Sequence, residues 1–270
     1  PNGYAAVCKD GKWGFIDRKG NKIADFIYEN PKEPNLAEHK PSNMHKSKHD
    51  DPEEQFKLGF KYERGSGVEQ SFEKAVDLYH QAAAQGHAMA QLYLGFKYSK
   101  GEGVEQNYDK ARYWYTKSAN QGESMAEFCL GEIYRNGEGV EQNYEKAVEW
   151  YLKSAKNGNL LGKFNLGSMY EFGLGVEQDY EKSVEWHRKA AARGYASAQN
   201  QLGAKYYQGL GVEQDYEKAV YWYLQSAEQG NHWAQYNLAQ MYERGLGVEQ
   251  DYEKAVYWYT KSDENNTRED

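Results

Sequence analysis

The sequence predicts an all-α solenoid of six 36-residue helix-turn-helix repeats, preceded by a small β segment. Three observations carry that prediction. Val-Glu-Gln recurs at Val68, Val104, Val140, Val176, Val212 and Val248, every gap being 36 residues, and self-similarity at a period of this size marks a stacked repeat array. Leu58, Leu94, Leu130, Leu166, Leu202 and Leu238 share one register, with Tyr62, Tyr98, Tyr134, Tyr170, Tyr206 and Tyr242 four residues later, the step that keeps two side chains on one helix face. Finally, Leu, Ile, Val and Phe supply only 41 of 270 residues, while Tyr alone supplies 25. So few aliphatic residues with a high net charge would indicate disorder. The net charge is only −8 and 15% of the residues are aromatic, so the expected core is built from alanine and rings, each ring burying roughly 150–250 Å².

The elements follow in chain order. In residues 1–30, Tyr4–Lys9 reads as a strand, Asp10-Gly11 as a hairpin turn, Lys12–Asp17 as a second strand, and Lys22–Tyr28 as a third after Lys19-Gly20-Asn21. The run Gly-Lys-Trp-Gly-Phe-Ile-Asp-x-x-Gly at Gly11–Gly20 resembles the bacterial WG repeat, with Ala24-Asp25 standing where that family has an Ile-Pro step. A lone three-stranded unit is marginal, so further WG copies are expected upstream of Pro1; a Met codon directly before Pro1 in the source gene would contradict this. Residues 31–51 hold three prolines, three histidines and many lysines and read as a flexible linker.

Residues 52–265 form the array, with 266–270 as a tail. In the second copy Ala90, Leu94 and Tyr98 make one stripe of a helix, and Gly95 beside it suggests a helix packed close. Gly101-Glu102-Gly103 stops that helix, since glycine accepts the positive φ of a C-cap. Asn107 is placed to cap the next helix, as are Ser71, Asn143, Asp179, Asp215 and Asp251. Tyr108, Ala111, Tyr115 and Ala119 then share a face, with Trp114 beside it, and Gly122 ends the unit. One hairpin cannot bury such a stripe; stacked neighbours can. Glu54 in the first copy, and Asp263 and Asn266 in the sixth, replace Ala, Ala and Gly, as end caps would; truncation just past Asp270 is the alternative.

The pattern Ala90, Leu94, Gly95, Tyr98, Gly101, Gly103, Val104, Lys110, Ala111, Trp114, Tyr115, Ala119, Gly122 resembles Sel1-like repeats, a longer relative of the tetratricopeptide repeat. The resemblance covers about residues 52–265. It implies a right-handed superhelix that binds other proteins and scaffolds complexes.

The chain offers little chemistry. Glu69 and its equivalents recur in every unit, which is scaffold behaviour. The Gly-x-Gly turns follow helices and lack the third glycine of a nucleotide loop. His39, His45 and His49 with Asp50 and Asp51 match no metal-site spacing. His187 replaces a repeat tyrosine, and Cys129 reads as a small apolar filler. No catalytic, metal or cofactor-binding residue is assigned and no cofactor is expected. Nucleic acid is excluded as a partner by the acidic balance, and no apolar run is long enough to insert in a membrane. Function is expected where the copies differ: at Leu92, Phe128, Phe164, Asn200 and Tyr236, and at Phe96, Glu132, Ser168, Ala204 and Gln240, with Phe172 enriching an apolar centre in the third and fourth copies. Tyr113, Tyr221 and Tyr257 are weaker candidates on an outer surface. The expected function is a non-enzymatic scaffold holding a protein or peptide partner in a concave groove. The alternatives are a hydrolase like the cysteine-rich relatives, whose cysteine pair in each repeat this chain lacks, or a structural spacer.

Overall fold

The structure is a computed structural model that describes residues 50–266 and, ahead of them, the backbone of three strands. Two compact units divide at Ser47/Lys48. In the first, β1 (Tyr4–Lys9), β2 (Lys12–Asp17) and β3 (Lys22–Tyr28) pair antiparallel in the order β1-β2-β3. These are the strands read from the sequence. The β1–β2 register runs from Tyr4↔Asp17 to Lys9↔Lys12, and the β2–β3 register shifts on either side of Phe15. The linker expected at 31–51, apart from Asp50 and Asp51, and residues 267–270 lie outside the described residues, as do His39, His45 and His49.

In the second unit the described residues form twelve helices in six pairs: α1 (Pro52–Arg64) with α2 (Phe72–Ala84), α3 (Ala88–Lys100) with α4 (Tyr108–Ala119), α5 (Ser124–Asn136) with α6 (Tyr144–Lys156), α7 (Leu160–Phe172) with α8 (Tyr180–Ala191), α9 (Ala196–Gln208) with α10 (Tyr216–Ala227), and α11 (His232–Arg244) with α12 (Tyr252–Asn266). Every helix packs on its sequence neighbours, so the core is distributed along the array. This is the α/α solenoid that the period predicts.

Local chemistry explains the two helix boundaries inside each pair. Ser71, Asn107, Asn143, Asp179, Asp215 and Asp251 accept the N–H of the residue three positions on at 2.7–3.2 Å, an N-cap contribution of about 1 kcal/mol each. The odd-numbered helices end on glycines with φ between 64° and 74°. The glutamine of each Val-Glu-Gln has a task that the sequence did not reveal. Its amide donates back to the carbonyl seven residues earlier, from Gln70 to Glu63 through Gln250 to Glu243, at 2.7–2.9 Å. Each turn is thereby tied to a helix end whose carbonyls have no helical partner.

Two glycine positions set the distances between helices. A Cβ on Gly95 would lie 2.3 Å from the Tyr115 ring, and Gly59, Gly131, Gly167 and Gly203 face Tyr79, Tyr151, His187 and Tyr223 as closely as 2.5–2.8 Å. Between repeats, a Cβ on Gly103, Gly139, Gly175, Gly211 or Gly247 would lie 2.2–2.5 Å from the first residue of the preceding even-numbered helix. The register leucines from Leu94 to Leu238 are at most 1% exposed and are surrounded by buried alanines. At the two ends Glu54 is half-buried and Asp263 exposed.

Candidate functional site

The varying positions of the odd-numbered helices form stripes at i, i+4 and i+8, and in every stripe the position nearest the helix C-terminus is exposed. At the first position, Leu92 is 3% exposed and belongs to the core, so as a partner-binding candidate it has no free surface. Phe128 and Phe164 are half-buried: Phe128 packs on Tyr151 at 5.9 Å, and Phe164 on His187 and Tyr195 at 5.4 Å each. Asn200 accepts from Asn237 at 3.1 Å. Tyr236 is exposed but lies against Tyr259 at 5.4 Å.

In mid-stripe, Phe96 is wedged between Tyr93 and Tyr115. Ser168 donates to the Phe164 carbonyl at 3.3 Å, and Ala204 and Gln240 are half-buried. Glu132 accepts the Tyr151 hydroxyl, the Asn165 amide at 2.7 Å and Arg135 at 2.7 Å. That network occupies its carboxylate. At the exposed end stand Arg64, Lys100, Asn136, Phe172, Gln208 and Arg244, all open to solvent. Phe172 is 65% exposed. This row has an apolar centre and cationic ends.

Buried polar groups on the same helices are structural. Lys97, 2% exposed, pairs with Glu63 at 2.6 Å and Glu102 at 2.7 Å, and Tyr79 donates to Glu63 at 2.5 Å. Lys205 pairs with Glu171. The sequence does hint at these burials, because Lys97 and Lys205 share a register with Ile133, Met169 and Met241. Cys129 is buried, and desolvation pushes its thiol up to about 12, which suppresses the thiolate a nucleophile needs. His187 is fully buried and its Nε2 has no partner. Desolvation, reinforced by nearby Lys205, pushes its pKa down to about 4. Glu69 and its five equivalents are exposed.

Tyr113, Tyr221 and Tyr257 are exposed, each edge-on to the following tryptophan at 5.0–5.1 Å. Trp233, 63% exposed at the start of α11, also varies between copies, with Met89, Met125, Leu161 and Ser197 as its equivalents, but was missed from the sequence because it lies outside the stripe flanking the Leu-Gly pair. Among the described residues no group of three or more His, Cys, Asp or Glu is placed to hold a metal ion, and no helix is long and apolar enough to cross a membrane.

Comparison with known proteins agrees with this architecture. The Sel1 repeat family matches residues 55–87, 88–123, 124–159, 161–195, 196–231 and 234–262. The WG containing repeat matches 1–13 and 13–30, where the sequence motif picks out a single copy at Gly11–Gly20. A search of curated proteins finds no match. Among solved structures the chain is similar to a protective antigen present in uropathogenic Escherichia coli strains displaying an SLR fold, with 37% identity and a TM-score of 0.78. That match covers 81% of this chain and 47% of the antigen, so the chain spans about half of that protein's length. It is also similar to a Sel1 repeat protein from Oxalobacter formigenes, with 35% identity, a TM-score of 0.73, and 81% of this chain and 88% of that one covered. An immunity protein from Pseudomonas aeruginosa, 21% identical with a TM-score of 0.52, shares the fold over 86% of this chain and 85% of its own. Sel1 repeat proteins are commonly protein-interaction scaffolds. With six matched units laid end to end on the six helix pairs, this chain belongs to the Sel1 repeat family.

Proposed function

We propose that the chain is a non-enzymatic scaffold that binds a protein or peptide partner along the exposed row of the odd-numbered helices. The carrying observation is Phe172, 65% exposed at the centre of a row that ends in Arg64 and Lys100 on one side and Arg244 on the other. An apolar anchor between cations suits a segment with an apolar centre and acidic flanks, since interfaces combine a few apolar anchors with a polar rim. A non-catalytic reading is supported by Cys129, whose thiol is buried and raised. It is also supported by the scaffold roles of the recurring polar residues.

The test is affinity capture with crosslinking mass spectrometry. Phe172→Ala and Lys100→Glu should each reduce capture several-fold while the melting curve stays within about 0.5 kcal/mol of wild type, as exposed substitutions do. Phe128→Ala with Phe164→Ala should reduce capture and also lower stability, because both rings are half-buried. Capture unchanged by Phe172→Ala and Lys100→Glu would remove this row from consideration.

A further inference from the structure

The junctions between repeats obey a pairing rule. Where an odd-numbered helix carries Glu, the next one carries Lys 34 residues later: Glu63 with Lys97, at 2.6 Å, and Glu171 with Lys205. Both lysines are at most 2% exposed, and each lies over the ring that opens the preceding even-numbered helix, Phe72 at 4.9 Å and Tyr180 at 5.2 Å. Where the Glu position holds Ser99, Arg135 or Tyr207, the Lys position holds Ile133, Met169 or Met241. All five internal junctions conform. The physical reason is that a lysine buried at this seam needs a carboxylate, and without one the site is filled by an apolar chain.

Two halves are left over. Lys61, in the Lys register of the first repeat, is exposed, and no carboxylate among the described residues pairs with it. Glu243, in the Glu register of the sixth, accepts the Tyr259 hydroxyl at 2.8 Å as Glu63 accepts that of Tyr79, and no cation among the described residues pairs with it.

Three further features of the two ends match in the same register. Tyr252 and Val256 on α12 are 64% and 65% exposed, whereas Val220, the equivalent valine covered by a following repeat, is 8% exposed. A Cβ on Gly67 meets nothing within 4 Å, whereas Gly103 and its successors all seat on a preceding helix. Leu58 is half-exposed where the other five register leucines are buried, and it lines an open cavity of about 730 Å³ with Phe56 and Leu78.

We propose that a second copy of this chain docks head to tail, its first repeat stacking on the sixth repeat of its neighbour in the register of an internal junction. Lys61 then lies between Glu243 and the Tyr252 ring, Gly67 seats on the start of α12, and Val256 is covered. The contact is heterologous, so each added copy leaves one end of each kind open and assembly does not close at a dimer. One pair opposes it. At the internal junction before α7, a Cβ on Gly162 would lie 2.6–2.8 Å from the Ser154 side chain and 3.0 Å from the Ala155 backbone nitrogen, so by register Glu54 faces the Ser262 side chain and the Asp263 backbone. Docking would bury the Glu54 carboxylate where Ala90, Ala126, Ala198 and Ala234 are fully buried, and that of Asp263 where Ala155, Ala191 and Ala227 are at most 3% exposed, which makes the seam weaker than an internal junction.

Sedimentation velocity on the full 270-residue chain, from micromolar to millimolar, tests the proposal. The weight-average mass should climb past that of a dimer, and Glu54→Ala with Asp263→Ala should shift the rise at least tenfold lower in concentration. Lys61→Glu and Val256→Asp, both at exposed positions, should each stay monomeric alone with unchanged helicity. Mixed together, they should form a 1:1 dimer and stop, because each retains the complementary end. Lys61→Glu with Glu243→Lys should restore assembly. A monomer at every concentration in both the wild type and Glu54→Ala/Asp263→Ala overturns the proposal, as does assembly that persists in Lys61→Glu or Val256→Asp alone.

Discussion

His187→Tyr should stabilise this protein, although it enlarges a fully buried side chain. Five of the six repeats already hold tyrosine at this register, and Gly167 leaves the same space that Gly59, Gly95, Gly131 and Gly203 leave for their rings. In the first repeat Tyr79, Glu63 and Lys97 form a connected triad. The fourth repeat has Glu171 and Lys205 in the same registers, but His187 leaves its Nε2 unpaired. Restoring the tyrosine removes a buried orphan, which costs about 1–3 kcal/mol, and adds a hydrogen bond to a carboxylate, which contributes about 1.5–3 kcal/mol. Both effects draw on the same desolvation, so a net gain of about 2–4 kcal/mol is expected at neutral pH.

Acid should widen the gap. His187 is lowered from 6.5 to about 4 in the fold. Between those values the unfolded chain binds a proton that the folded chain refuses, so wild-type stability is full above pH 6.5 and falls toward pH 4, by about 3 kcal/mol in total. The variant has no such term. Urea unfolding followed by circular dichroism near neutral pH and again near pH 4.5 measures the difference. Amide exchange in α8 provides a local readout, because repeat arrays unfold by neighbouring units. A variant no more stable than wild type at neutral pH, or a gap that stays constant on acidification, would refute the reasoning.

Two further outcomes follow from the packing. Gly95→Ala places a methyl 2.3 Å from the Tyr115 ring and should cost about 1–3 kcal/mol by overpacking, while Ala239→Gly should cost about 1 kcal/mol from helix propensity alone; thermal melts compare them, and an unchanged melt for Gly95→Ala would mean the helix pair separates freely. Lys97→Ile should cost somewhat less than the roughly 3–5 kcal/mol of breaking a fully buried pair, because Glu63 keeps 19% of its side-chain exposure. Glu63→Ser with Lys97→Ile copies the Ser99/Ile133 junction and should recover most of that loss, so a double-mutant cycle showing plain additivity would count against the pairing.

The helical array was legible because one 36-residue period fixes each helix and turn of the repeat six times over. Capping residues, turn glycines and the close approach at Gly95 each follow from local chemistry, and the structure adds only that the obstacle facing Gly95 is the Tyr115 ring. The candidate surface was less legible. Register tells which helix face a residue shares but not how deep it lies along that face, so Leu92 was grouped with Phe172 although one is 3% and the other 65% exposed. The partner of each Val-Glu-Gln glutamine was hidden for a similar reason. Recurrence shows that the residue does a job in every repeat, but the receiving carbonyl seven residues back becomes visible only once the turn closes.

In an array of nearly identical units, departures from the consensus fall into two kinds. Some are coupled: Lys97 appears with Glu63, Ile133 with Ser99, and the half-buried Phe96 sits against its neighbouring rings. Each such departure answers another one, so each is explained by packing. Others are uncoupled, and nothing in the fold uses them. Glu132, bonded to Tyr151, Asn165 and Arg135, belongs to the first kind. Tyr236 is intermediate, exposed but resting on Tyr259. Phe172 belongs to the second: it makes no aromatic contact among the described residues, yet holds 65% of its surface in water. An isolated exposed ring is tolerable in any protein. Here it stands in a row whose other members are all polar or charged, at a position where no other repeat places an apolar side chain, and that contrast makes it the sharpest single place to look for a partner.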